Sequence, residues 1–180
     1  MKLVKLEENV FEIPAFLTDE ECDSLIQLSE SIGFNAADVQ TTSGRQYYTH
    51  IRNNERADYQ SSSLAETYWK LLCRFELPNH ENRNANGLSP HFRFYKYLPG
   101  QKFNMHKDGR QRIGGNETMY TFLVYLNEDY IGGETLFRNG NLKVSPKKGS
   151  AIIFEHQLWH QGVEVESGMK YVLRSDVVYG

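Results

Sequence analysis

Apolar residues keep helical spacing in the first half of the chain and change to an alternation of two in the second. After a short strand expected over 10–13, Leu17-Thr18-Asp19-Glu20-Glu21 reads as a helix start. The Thr18 hydroxyl can take up one free amide there while Glu21 reaches back to another. Cys22, Leu25, Ile26, Ser29 and Ile32 then form one stripe, and Gly33 is placed to end the helix in a left-handed conformation. A second helix is expected to open at Ser63, with Glu66 three residues on, to bury Leu64, Ala65, Tyr68, Leu71 and Leu72, and to stop before Pro78. Between the helices, 44–59 carries the polar run Arg52-Asn53-Asn54-Glu55-Arg56, which follows neither period and reads first as a solvated surface loop, with a loop over the site as the alternative. The Asn-rich stretch 79–90 reads as the connection into the second half.

From His91 onward, strands are expected over 91–98, 103–108, 118–127, 134–137, 141–144, 150–154 and 170–179, punctuated by Gly and Pro. Many short strands imply a sandwich or distorted barrel. In Thr121-Phe122-Leu123-Val124-Tyr125-Leu126, alternation sends Phe122, Val124 and Leu126 toward the helices and Thr121, Leu123 and Tyr125 into the barrel. The fold class is therefore mostly β with flanking helices (α+β). One domain is expected over 1–180, with 1–90 as helical buttress and N-terminal strands and 91–180 as the catalytic part.

Composition narrows the partners. A net charge of −3 lacks the basic footprint of a phosphate-backbone binder, so no nucleic acid is expected. Glu7 and Glu8 fall where a signal peptide would be apolar, and no stretch is long and apolar enough for a membrane span, so a cytoplasmic protein is expected. Cys22 and Cys73 sit in helix-like patterns without ligand companions and read as buried thiols.

The candidate chemistry lies in Phe103-Asn104-Met105-His106-Lys107-Asp108-Gly109, where His106 and Asp108 are two apart on a strand-like segment and can share a metal. Taken alone, such a pair is a common accident. About fifty residues later comes His160, and ten residues beyond it the cation Lys170. Two imidazoles and one carboxylate make the facial set of non-haem Fe(II) oxygenases, which leaves positions open for 2-oxoglutarate and O2. Both imidazoles must be neutral to ligate, so acid should weaken metal binding. The remote carboxylate of 2-oxoglutarate needs a buried cation, for which Lys170 is the first choice; Arg174, four positions on and on the same strand face, is a candidate to share or replace it. Tyr97 and Tyr125 are candidates to add phenolic hydrogen bonds, and Thr121 to line the wall.

The run Arg93-Phe94-Tyr95-Lys96-Tyr97-Leu98-Pro99-Gly100-Gln101 leads into the His106 motif, and Tyr125-Leu126-Asn127, Gly132-Gly133-Glu134-Thr135, Gly149-Ser150-Ala151 and His160 to Lys170 follow in order. Together these segments resemble the catalytic domain of prolyl 4-hydroxylase-like 2-oxoglutarate oxygenases. Phe16-Leu17-Thr18 with Glu20-Glu21-Cys22, and Ile51-Arg52-Asn53-Asn54, are similar to small bacterial-type members. The resemblance implies a double-stranded β-helix (jelly-roll, cupin-like) core, iron on His106, Asp108 and His160, the remote carboxylate on Lys170, and a habit of consuming ascorbate. The chain departs from collagen-type members after Lys170, where Tyr171-Val172-Leu173-Arg174-Ser175-Asp176 lacks their Trp.

The expected reaction is hydroxylation of an unactivated C–H bond, on a prolyl residue in a protein or peptide, with release of succinate and CO2. Alternatives are hydroxylation of a free amino acid or other small molecule, and a non-catalytic ligand-binding barrel. A zinc hydrolase would leave Lys170 unexplained, and a nucleobase demethylase would need a basic lip. His156 competes formally as third ligand, but ten residues beyond it stands Glu166; it reads as a residue supporting the ligands or facing substrate. Arg52 is a candidate substrate contact at the mouth, Arg56 and Arg93 read as surface or structural ion pairs, and His50, His80 and His91 as structural histidines.

Overall fold

Aromatic and β-branched residues at alternate positions favour extended backbone over 116–125 and 170–179. Asn116–Tyr125 and Lys170–Tyr179, ten residues each, pair antiparallel from Glu117 opposite Tyr179 to Tyr125 opposite Val172. They form the centre of the computed structural model, which describes residues 2–36, 39–41, 44–46, 53–138 and 141–180.

On one side of this pair lie Ala151–Glu155, Val10–Ile13 and Val4–Glu7; on the other lie His91–Tyr97, Glu55–Gln60 and Asn35–Ala36. A smaller antiparallel sheet runs in the order Lys143–Val144, Thr135–Phe137, His160–Gly162 and Phe103–His106. A cavity between the two sheets takes its lining from both, which is the double-stranded β-helix arrangement.

The outer face of the large sheet packs on the two helices. Phe122, Val124 and Leu126 are fully buried there in one cluster with Phe16, Leu25, Tyr68 and Leu72. Full burial of each large apolar side chain contributes about 1.5–3 kcal/mol, so this layer makes the sheet a stiff platform. Thr121 and Leu123, pointing the other way, line the cavity, and Tyr125 joins a second buried cluster on that side.

The helix Asp19–Ile32 begins with the expected capping box on Thr18 and Glu21 and ends at Gly33 with φ +86°. The second helix, Ser62–Leu72, starts earlier than expected: Ser61 is the cap, accepting from the Leu64 amide, because Ser61 supplies the extended backbone and free hydroxyl a cap needs. Cys22 is buried, but Cys73 is exposed at the end of that helix. The expected loop over 44–59 is partly strand. Glu55–Gln60 pairs with His91–Tyr97, burying Ala57 while Arg56 and Asp58 bond to each other. The single small buried residue left too weak an alternation to read.

Candidate active site

His160–Gly162 pairs with Phe103–His106, which sets His106 directly opposite His160 with ring centroids 4.2 Å apart. The strand ends at His106. Asp108 is brought alongside by a bend rather than by strand alternation, and is held there as its amide donates to the His156 carbonyl at 2.9 Å. One ligand atom from each of His106, Asp108 and His160 lies within 4.8 Å of the others. Each histidine Nε2 is 3.6 Å from an Asp108 carboxylate oxygen.

The second nitrogen of each ring fixes its tautomer. His106 Nδ1 is 2.8 Å from the Asn104 carbonyl and His160 Nδ1 is 2.9 Å from the Leu158 carbonyl. A carbonyl can only accept, so Nδ1 carries the proton and Nε2 turns a lone pair inward. Burial pushes the His160 pKa down to about 4, against the attraction of Asp108, so this ring is neutral at physiological pH. Burial alone would raise the Asp108 pKa; Arg174 foremost, then His160 and His106, hold it well below the usual carboxylate range. Two imidazole Nε2 atoms turned inward beside one carboxylate fit a ferrous ion with open positions, and this inward orientation is the observation that supports the fit.

Lys170 stands on the same cavity wall. It is 3% exposed, donates to the Gly133 carbonyl at 2.5 Å, and lies 4.9 Å and 5.7 Å from the Tyr97 and Tyr125 ring centroids. Among the described residues no carboxylate comes within ion-pair reach of it, and burial, only partly opposed by Glu134, lowers its pKa to about 7. The Gly133 backbone, at φ +69°, makes this possible: a Cβ there would stand 2.9 Å from the Tyr130 ring and 3.1 Å from the Lys170 stem. This is a buried amine with no carboxylate in ion-pair reach among the described residues, in a cavity shared with His106, Asp108 and His160, and it can receive an acidic group.

Arg174 is placed differently from the sequence expectation. Lys170 and Arg174 share a strand face, but four residues separate them by about 13 Å. The Arg174 guanidinium contacts Asp108 and Asp176, each at 3.1 Å, and so serves the metal end of the cavity. Burial opposes its charge, and Asp108 and Asp176 more than restore it. His156 does not face substrate. It is fully buried behind Asp108, bonded to Thr121 and Thr118 hydroxyls, because its backbone already turns inward to hold the Asp108 amide. Thr121 lines the cavity and donates to Asp108 at 2.5 Å. Tyr97 lines the cavity, and the Tyr125 hydroxyl bonds that of Thr135 at 2.6 Å. Arg52 and His50 lie outside the described residues.

Sequence reasoning missed Asp176, Thr118, Phe103 and Tyr130. Asp176 continues the period of two from Lys170 through Val172 and Arg174, a signal present in the sequence. Phe103 stacks on His106 at 3.5 Å between centroids. The Tyr130 hydroxyl is buried with no partner among the described residues. Arg93, read as a surface or structural ion pair, is a buried partner of Asp176 at 2.9 Å.

Comparison with known proteins follows the same lines. The profile of the 2OG-Fe(II) oxygenase superfamily matches residues 92–175. A protein of Acanthamoeba polyphaga mimivirus, provisionally named a prolyl 4-hydroxylase, is 26% identical over 183 residues, covering 90% of this chain and 71% of that protein. The chain spans between 49% and 59% of the length of three Arabidopsis thaliana relatives. The viral collagen prolyl hydroxylase of Paramecium bursaria chlorella virus-1, solved with 2OG, shares the fold with TM-score 0.69 and 24% identity over 94% of this chain and 96% of that one. A Trichoplax adhaerens prolyl hydroxylase, solved with a hypoxia inducible factor peptide fragment, shares it with TM-score 0.72 and 19% identity over 94% of this chain and 83% of that one. Its strand order, its histidine, aspartate and histidine cluster and the profile matched over residues 92–175 agree with one another and support a prolyl 4-hydroxylase-like 2OG-Fe(II) oxygenase.

Proposed function

We propose that the protein couples oxidative decarboxylation of 2-oxoglutarate to hydroxylation of an unactivated C–H bond on a peptide, with a prolyl residue as the leading target. The observation that carries this reading is Lys170: a buried amine without an anionic partner among the described residues, in the cavity that holds His106, Asp108 and His160. An Fe(II) ion bound there would supply the redox chemistry by which O2 is consumed, one oxygen atom ending in succinate as the co-substrate loses CO2 and the other in the hydroxylated substrate.

The chain's own residues supply positioning and charge. His106, Asp108 and His160 would hold the ion, and Lys170 would neutralise the remote carboxylate of the co-substrate inside a low-dielectric wall of Tyr97, Leu123 and Val172. Tyr97 and Tyr125 frame the Lys170 ammonium with their ring faces. The apolar lining from buried Phe154 and Val172 and half-buried Phe103 would limit water at the oxidising centre. Ascorbate would serve to keep the ion ferrous, and a cytoplasmic setting would supply 2-oxoglutarate.

Support for a peptide substrate comes from the relatives: the Trichoplax protein was solved with a peptide fragment. A second reading, hydroxylation of a free amino acid or other small molecule, is favoured by the charged residues Arg174 and Asp176 on a strand where collagen-type members carry Trp. Release of labelled CO2 from 2-oxoglutarate, screened against proline-containing peptides and a metabolite panel, separates the two. Stimulation by peptides supports the first reading, stimulation by metabolites alone the second, and no release under any condition a ligand-binding barrel without turnover.

The Lys170 environment sets a pH dependence. An ammonium is needed to meet a carboxylate, and the free site holds its proton only up to about pH 7. Binding an anion raises that pKa, so a proton is taken up on binding above neutrality. Affinity for 2-oxoglutarate should be full below pH 7 and fall by about tenfold per unit above it. Calorimetry on Mn(II)-loaded protein from pH 6.5 to 9, in buffers of different ionisation enthalpy, reads both the slope and the proton.

A further inference from the structure

The Asp108 carboxylate is held by more groups than a metal ligand requires, and all of them converge on one of its two oxygens. Oδ2 accepts from the Thr121 hydroxyl at 2.5 Å and lies 3.1 Å from Arg174 Nη2. Oδ1 lies 3.6 Å from His106 Nε2 and Oδ2 lies 3.6 Å from His160 Nε2, so both oxygens border the cluster and it is the Thr121 and Arg174 contacts that distinguish them.

Behind Thr121, the hydrogen bonds can run in only one direction. Thr121 spends its proton on a carboxylate, so toward His156 Nδ1, 3.0 Å away, it must accept, and Nδ1 carries the proton. His156 Nε2 is then an acceptor for the Thr118 hydroxyl at 3.2 Å, and Thr118 in turn accepts from the Gln111 amide at 2.9 Å. The relay from Gln111 to Asp108 is complete with His156 neutral, and burial, the largest influence on that ring, acts in the same direction.

Arg174 holds the same oxygen from the other side. Asp108, Arg174, Asp176 and Arg93 form a buried row of alternating charge, with contacts of 3.1, 3.1 and 2.9 Å. The Arg174 Nε finds no acceptor among the described residues, and the guanidinium is held by Asp108 and Asp176 together with a hydrogen bond to Tyr95.

We propose that Arg174 and the Thr118–His156–Thr121 relay are positioning elements that reserve Asp108 Oδ2 and offer only Oδ1 to the metal. The proposal rests on the reading that His106, Asp108 and His160 hold the ion. Carboxylates bind metals through one oxygen or two. An Asp108 with both oxygens free can occupy two positions, one of which a chelating 2-oxoglutarate needs. The relay and Arg174 thus keep room for the co-substrate rather than strengthening the metal site.

The test is a pair of dissociation constants, for Mn(II) and then for 2-oxoglutarate on the Mn(II)-loaded protein, measured by calorimetry. In Thr121→Val with Arg174→Met, Mn(II) binding should stay level or tighten while 2-oxoglutarate binding weakens by about 10–100-fold, the range typical of groups that orient metal ligands. Thr121→Val alone, near-isosteric and read if the double variant does not fold, should show the same split at smaller size. Thr121→Ser with Arg174→Lys should restore co-substrate affinity. If both constants are unchanged, or if both weaken together with a drop in melting temperature, these residues pack the site and the proposal is overturned. A wild-type protein that fails to bind Mn(II) overturns the metal reading itself, and the proposal with it.

Discussion

Asp108→Asn is expected to reduce Fe(II)-dependent succinate formation to background while leaving the protein folded. The substitution keeps the shape of the side chain and its contact with Thr121, but removes the charge that binds the ion. It also leaves Arg174 with Asp176 as its remaining carboxylate partner among the described residues, so some stability is lost. Breaking one member of a buried charge row costs about 3–5 kcal/mol. Asp108→Ala should show the same loss of turnover with a larger fall in the urea midpoint. Retained succinate formation in either variant, measured with added Fe(II), would remove Asp108 from the metal site.

Lys170→Met should show the opposite balance between stability and function. Burial costs Lys170 most of its affinity for a proton, and no carboxylate among the described residues repays it, so an apolar side chain of similar length should raise the melting temperature. The same change strands the remote carboxylate of 2-oxoglutarate in an apolar wall. An uncompensated buried charge of this kind costs about 3–5 kcal/mol, which is a rise of about two to four powers of ten in the co-substrate KM. Stability up and co-substrate affinity down marks a residue kept for binding. A variant of lower stability and unchanged KM would make Lys170 a structural amine.

Much of this site was legible before the fold was in view. The second half of the chain alternates strictly enough that the Lys170–Tyr179 strand has the bounds expected of it. The facing of Phe122, Val124 and Leu126 toward the helices followed from period alone. That His106, Asp108 and His160 come together, with Lys170 on the same cavity, was readable because each carries chemistry that the others explain.

What escaped was set by contacts distant in sequence. Asp108 is delivered by a bend anchored on His156, some fifty residues away, and nothing local announces that hydrogen bond. Arg174 reads from sequence as a candidate to share the Lys170 role because sharing a strand face fixes direction and not distance; its guanidinium meets Asp108 and Asp176. His156 looked available because a histidine between two candidate segments is ambiguous until burial is known. The Glu55–Gln60 strand is hard to read because Ala57 is its one buried residue and charged or polar residues hold four of the other five positions.

The most direct measurement of the whole account is an anaerobic absorption titration of the apoprotein with Fe(II) and then 2-oxoglutarate. The account predicts a visible metal-to-ligand charge-transfer band that appears only with both present, saturates at one equivalent of each, and is absent in Asp108→Asn. A colourless mixture at saturating concentrations of both, with the protein folded, would contradict it.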